Sequence, residues 1–258
     1  MPLVTLKLDP PARGESATWP AGLFAPGTLR LEPGEHVAVL GRSGTGKSTL
    51  LRALAGSVAT DGWARIEYLG LAAGTPPRTA LMAQTSALLP WFSVRDNVML
   101  GDKLRGETPD HTRGEKLLER VGLAGLGDHA PTTLSGGMAQ RVALARTLYE
   151  QAELLLLDEP FSALDAITRR QMQGLTAEET ADRARLLVTH DPDEAWRLGT
   201  RIILLEGNPT RIVPFDRSRG IDALWQAVLA EDGDARSARR HLRPKEENAP
   251  QNGAQDAA

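Results

Sequence analysis

The chain has 258 residues and a net charge of −3, and 41% of it is apolar, enough to fill the core of one large α/β domain or two small lobes. It offers no bulk positive field for nucleic acid, and without cysteine it has no disulfide, thiolate metal site or thiol nucleophile. No stretch approaches the roughly 18 apolar residues of a membrane span, and Met1 to Leu8 lacks the charged start and apolar run of a signal peptide, so a cytosolic protein is expected.

Residues 3–8 alternate like an edge strand. Pro10 to Pro26 reads as a loop that carries Trp19, and Thr28 to Leu31 as a second strand. Pro33-Gly34-Glu35 is a turn signal ahead of a β-type run that ends at Leu40. Then comes Gly41-Arg42-Ser43-Gly44-Thr45-Gly46-Lys47-Ser48-Thr49, which fits the phosphate-loop pattern G-x-x-x-x-G-K-[ST], followed by the helix formers Leu50 to Ala55. Glycines let the backbone wrap a phosphate, and successive N–H groups with the positive helix end face the anion. Lys47 adds a charge near the terminal phosphates, and the Ser48 hydroxyl can ligate Mg²⁺. Trp19 could stack on an adenine ring or sit in a core.

Trp63 to Tyr68 and Ala80 to Ala83 read as short strands, the second ending at Gln84. That amide could lie near the metal and the attacking water, or simply be exposed. Thr85 to Pro131 reads as a mostly helical insertion, with helical spacing over Ser93 to Leu100 and Arg113 to Val121. Leu134-Ser135-Gly136-Gly137-Met138-Ala139-Gln140 starts another helix. Ser135 is its N-cap candidate, and Gly136 and Gly137 open its first turn to an anion. Four leucines, Leu154 to Leu157, read as a strand buried on both faces. It ends in Asp158 and Glu159, carboxylates that packing does not require. Ser162 to Asp165 leads into a helix. Arg185 to Thr189 reads as another buried strand, through Leu186 to Val188, and ends at His190; Pro192 to Leu198 reads as a helix. Ile202 to Leu205 reads as the final strand, and residues 231–258 as a disordered tail.

The order of these motifs closely resembles the ATP-binding subunit of ABC transporters over roughly residues 3–206, and Leu134 to Gly137 is the segment specific to that class. The resemblance implies a phosphate-loop core with a mostly parallel sheet, an N-terminal antiparallel β subdomain, and a helical subdomain over about 85–150 inserted in an ATPase domain spanning 1–230. It implies that Gly41 to Thr49 bind ATP, that Ser48 and Gln84 ligate Mg²⁺ with Asp158 in its shell, that Glu159 is the general base and that His190 senses the γ-phosphate. Ser135, Gly136 and Gly137 would contact ATP on a second, head-to-tail ATPase subunit, expected to be identical, and Asp165 would cross that interface. Trp19 falls where the adenine-stacking aromatic is expected, with Phe24 as the fallback. Met138 departs from the family's usual Gln.

The run Glu159 to Asp165 looks more like importers than exporters, and Leu88-Leu89-Pro90-Trp91 is similar to the nitrate, sulfonate and taurine importers, a group that also includes importers of thiamine precursors; Thr189 to Ala195 agrees. The implied partners are membrane permease subunits and, indirectly, a periplasmic or extracellular substrate-binding protein. The implied location is the cytoplasmic face of the cell membrane. The alternative is a non-transport ABC ATPase that works with a cell-division or cofactor-assembly partner. Nucleic-acid ATPases of the superfamily usually carry two ATPase units or long coiled coils, and a phosphate-loop kinase would lack Leu134 to Gln140.

Overall fold

The computed structural model describes residues 3–9, 23–68 and 76–230; Trp19 and the tail 231–258 lie outside them. A three-stranded antiparallel sheet holds β1 (Val4–Leu8), β2 (Gly27–Leu31) and β4 (Ala64–Tyr68) in the order β2-β1-β4. A six-stranded sheet holds β3 (His36–Gly41), β5 (Thr79–Met82), β6 (Leu154–Asp158), β7 (Ala184–Thr189), β8 (Arg201–Glu206) and β9 (Arg211–Phe215) in the order β5-β6-β7-β3-β8-β9. Every pairing there is parallel except β8 with β9. This is the expected fold class, an α/β core with a separate antiparallel sheet.

Two expectations are corrected. β1 is not an edge strand but the middle of its sheet, flanked by β2 and β4. Alternation reports which faces of a strand are covered and says nothing of its lateral neighbours. The strand through Ile202 to Leu205 is not the last, because β9 turns back along it. Pro214, which cannot donate to a ladder, hides β9 in the sequence, and an edge strand tolerates that proline.

The leucine run behaves as a strand buried on both sides. Leu154 and Leu156 join the core shared with the N-terminal sheet and α1 (Lys47–Leu54), while Leu155 and Leu157 join the core shared with the helical part. Strand β3 splits likewise: Val37 and Val39 face the first core, and Ala38 and Leu40 face a third core with α7 (Pro192–Leu198) and the helical residues 221–230. Each face is thus closed by a helical layer, as a parallel sheet requires.

The insertion between β5 and β6 contains α2 (Val94–Val98), α3 (Leu100–Arg105), α4 (His111–Arg120) and α5 (Gly136–Tyr149). The helix expected over Ser93 to Leu100 breaks at Met99, where φ is −93° and ψ is 17°, and continues as a separate α3. α6 (Ala166–Glu179) follows β6. Because β3, β5, β6 and β7 run parallel, their C-terminal ends share one edge, the edge where open α/β sheets place ligands.

Candidate functional site

Four strand ends converge on one cleft of about 560 Å³. Its lining includes Ser43, Gly44, Gly46, Lys47, Ser48 and Thr49 after β3, Gln84 after β5, Glu159 after β6 and His190 after β7. Gly41 and Arg42 enter the loop, and Thr45 closes it, donating from Oγ1 to the Arg42 carbonyl at 2.9 Å. Gly46 caps α1 with φ 90°, a left-handed conformation that glycine adopts without strain. A Cβ there would lie 2.5 Å from Phe24 Cζ, so no side chain fits without displacing that ring.

Lys47 is 7% exposed, and its ammonium donates to the Gly41 and Arg42 carbonyls at 2.7 and 2.8 Å. Burial pushes its pKa down, while the Glu159 and Asp158 charges pull it back up. Asp158 is buried, and burial pushes its carboxyl up; the hydrogen bond from Ser48 and the charge of Lys47 act the other way. The hydroxyl of the phosphate loop and the carboxylate of the leucine strand are therefore already joined.

Glu159 sits just beyond the strand with φ 48°, a sparsely populated conformation for a residue with a side chain. Its backbone is fixed from three sides: its N–H donates to the Val188 carbonyl at 2.9 Å, and its carbonyl accepts from Gln140 Nε2 at 3.1 Å and from Ser162 Oγ at 3.0 Å. Its carboxylate accepts from Gln84 Nε2 at 3.3 Å and lies 3.5 Å from His190 Nδ1. Such strain at a site where three loops meet is a mark of a functional position.

The remaining expected residues lie elsewhere. Ser135 caps α5, its Oγ accepting from Met138 N–H at 3.3 Å, and both Ser135 and Gly136 are exposed. Gly137 is half-buried, and a Cβ there would lie 3.3 Å from the Ala163 carbonyl. Asp165 is exposed and caps α6 by accepting from the Ile167 and Thr168 N–H groups at 3.1 and 3.0 Å. None of these four lines the cleft. Phe24, the fallback for adenine stacking, is corrected: it is 2% exposed and stacks on Trp63 at 5.7 Å between ring centres, so its faces are taken by the core.

Sequence reasoning missed the side chains that hold the loops in place. Asn97 is fully buried; its Oδ1 accepts from Leu89 N–H at 2.8 Å, and its Nδ2 donates to the Leu89 and Ser93 carbonyls at 3.1 and 2.9 Å. Arg146 reaches from α5 to the Ser86 and Ala87 carbonyls at 2.8 and 2.9 Å. Together they shape the loop after Gln84, whose tip carries Trp91 at 72% exposure. A polar residue on the apolar side of a helix was the signal for Asn97, beside Val94 and Val98.

The profile of the family described as ABC transporter matches residues 25–162. The aliphatic sulfonates import ATP-binding protein SsuB 2 of Burkholderia lata is 45% identical over 215 residues, 82% of this chain and 76% of that protein. A protein of Pseudomonas aeruginosa with the same description is 42% identical over 228 residues, 83% of this chain and 90% of its own. An uncharacterized ABC transporter ATP-binding protein of Haemophilus influenzae is 48% identical over 195 residues, 73% and 78% of the two chains. A solved chain of an ABC transporter in an inward-facing conformation shares the fold, with a TM-score of 0.62 at 24% identity over 82% of this chain and 83% of its own. This chain belongs to the ABC transporter family, and it is an ATP-binding ATPase of that family.

Proposed function

We propose that this chain is the ATPase subunit of an importer and that two copies bind two MgATP head to tail. One observation carries the reading: the site is split. Lys47, Gln84, Glu159 and His190 share the cleft, whereas Ser135, Gly136, Gly137 and Asp165 lie outside it. A capped helix start with two glycines is competent to hold a phosphate. In a head-to-tail pair it would meet the γ-phosphate of ATP held by the other copy, with Asp165 crossing the interface. The ATPase domain would span residues 1–230 with the helical subdomain inserted at about 85–150, and Trp19 would stack on adenine.

The chemistry follows from the side chains. Lys47 would exchange the Gly41 and Arg42 carbonyls for phosphate oxygens. The donor set of Ser48, Gln84 and Asp158 is the hard oxygen set that suits Mg²⁺, and these residues would hold the ion, which spreads the charge of the phosphates. Glu159 would accept a proton from a water whose oxygen attacks the γ-phosphorus in line. The bond to the bridging oxygen breaks, and ADP leaves with that electron pair. His190, whose Nδ1 lies 3.5 Å from the same carboxylate, would contact the γ-phosphate.

Among the described residues no helix is long and apolar enough to cross a membrane. Work on a membrane would therefore pass through docking to permease subunits on the cytoplasmic face, at the groove formed by the Gln84–Trp91 loop and the helical insertion. The relatives named for aliphatic sulfonates point to a sulfonate as cargo, delivered by a periplasmic or extracellular binding protein. ATP would favour the closed pair and hydrolysis the open one, shifting the permease between states. Affinity purification of the tagged chain from solubilised native membranes tests this. A polytopic permease in equal copy number is expected, with ATP-dependent uptake of an alkanesulfonate in proteoliposomes. Recovery with a soluble partner only would overturn it.

A further inference from the structure

Beside His190 lies a second, smaller space of about 20 Å³, lined among others by Glu159, Ser162, Arg169, His190 and Glu194. Buried polar atoms without a hydrogen-bond partner are few among the described residues, and two of them, Glu194 Oε1 and Arg169 Nε, belong to side chains that line this space. The volume suffices for one water, which needs only two to four polar partners. An arginine and a glutamate facing one cavity would ordinarily pair, yet no ion pair joins these two among the described contacts.

Arg169 bridges two loops. On the α6 side its backbone N–H donates to the Asp165 carbonyl at 2.8 Å, and its Nη2 donates to the Leu164 carbonyl at 3.0 Å. On the other side its Nη1 lies 3.9 Å from Asp191 Oδ2. Asp191 follows His190 directly and caps α7, accepting from the Asp193 and Glu194 N–H groups at 2.9 and 3.3 Å. Glu194 completes the circuit, since the Thr189 hydroxyl next to His190 hydrogen-bonds its carboxyl.

We propose that Arg169 and Glu194 are positioning residues for ATP hydrolysis, joined across a one-water cavity so that the 162–165 turn and the His190 turn move as one unit. The turn that ends at Asp165 would sense the second subunit, and His190 and Glu159 would sit where hydrolysis occurs. This rests on the roles given above to Glu159 and His190.

The charge balance agrees with the missing ion pair. Glu194 is 5% exposed and faces Asp191, Arg169, Glu159, His190 and the Thr189 hydroxyl. Burial first, then the Asp191 and Glu159 charges, push its carboxyl up to about 8, against the pull of Thr189 and Arg169. At neutral pH it is therefore mostly a neutral acid that can donate as well as accept, while Arg169 stays free to hold the Leu164 carbonyl. Ionised, Glu194 would draw Arg169 off that carbonyl and place a second negative charge near Glu159.

Steady-state ATPase assays on the full chain test this with Arg169→Gln, Glu194→Ala, their combination, Glu194→Gln, and Glu159→Gln as control. Each of the first two is expected to lower kcat about tenfold with KM for ATP unchanged, and the pair to lose about tenfold rather than a hundredfold, because residues acting as one unit are not additive. Glu194→Gln is expected to keep the wild-type kcat at neutral pH and to lose the wild-type decline through about pH 8, where only a carboxyl can ionise. Multiplicative losses, a raised KM in place of a lowered kcat, or a Glu194→Gln profile overlaying that of the wild type would overturn the coupling. The Gln variant preserves shape, so the pH profile decides the matter even where Glu194→Ala fails to fold. A Glu159→Gln control with wild-type turnover would overturn the inference differently, by removing the base on which it rests.

Discussion

Asn97→Ala isolates the loop that we assign to docking. The wild-type side chain accepts one bond from Leu89 N–H and donates two good ones, to the Leu89 and Ser93 carbonyls, with Phe92 O at 3.4 Å as a weaker fourth contact. Alanine removes all of them and leaves the partners in place. A buried group left unsatisfied costs about 1–3 kcal/mol. Leu89 and Phe92 are only half-buried, so water can recover part of the loss, and the net cost should be about 2 kcal/mol. For a domain of this size that lowers Tm by about 4–8 °C. The nucleotide cleft contains neither Asn97 nor the loop residues beyond Gln84, so basal ATPase of the isolated subunit should hold. Loss should appear in permease-stimulated ATPase and in co-purification of the permease, because Trp91 is no longer presented in one geometry. Differential scanning fluorimetry and paired assays with and without permease read both effects. A Tm within about a degree of wild type together with full stimulation would refute the reasoning.

Other substitutions probe the cleft. Glu159→Gln should lower kcat by at least about a hundredfold while ATP still binds, because the amide cannot take a proton from water; single-turnover hydrolysis at the wild-type rate would exclude Glu159 as base. Gly46→Ala places a Cβ 2.5 Å from Phe24 Cζ and 2.7 Å from Leu23 Cδ2 in a left-handed backbone. It should weaken ATP binding by about tenfold or more as the loop deforms, a cost of about 1–2 kcal/mol for the conformation alone; unchanged affinity by calorimetry would count against a rigid phosphate loop. Glu194→Gln carries a signature in stability. Burial pushes the native carboxyl from an ordinary value of 4.5 up to about 8, so between those values the folded chain holds a proton that the unfolded chain releases. Wild-type stability therefore falls as pH rises through that window, by up to about 1.4 kcal/mol per pH unit, and the Gln variant should gain on it from about pH 5 to about pH 8. A constant difference in Tm across that range would contradict the burial argument.

Much of the fold could be read in advance because the strands are extreme cases. Leu154 to Leu157, short, wholly apolar and followed by Asp158-Glu159-Pro160, reads as a strand covered on both sides, and the glycine loop between Leu40 and Leu50 fixes strand, turn and helix together. Weak signals failed where position rather than pattern decides: β1 looks the same at an edge or in the middle, and Pro214 disguised an edge strand. The cleft residues were legible because phosphate chemistry needs particular atoms at strand ends. The supports were not. Gln140 was seen only as part of a segment, yet its amide takes hold of the Glu159 carbonyl and the Ala163 N–H at 3.1 and 2.8 Å. Arg185 opens the run expected as a buried strand, but nothing in the spacing names its partners: it is 1% exposed, bonded to the Thr176 and Leu198 carbonyls and the Thr180 hydroxyl. Such roles depend on which groups the fold brings near, and spacing along the chain does not contain that.

The claim that the site is shared between two copies is tested most directly by sedimentation equilibrium of the Glu159→Gln chain with and without MgATP, alone and combined with Ser135→Arg. The account predicts a monomer without nucleotide, a dimer holding two ATP with it, and a monomer at any ATP concentration once Ser135 is replaced. A chain that binds ATP and stays monomeric, or a dimer that forms equally well with Ser135→Arg, would contradict it.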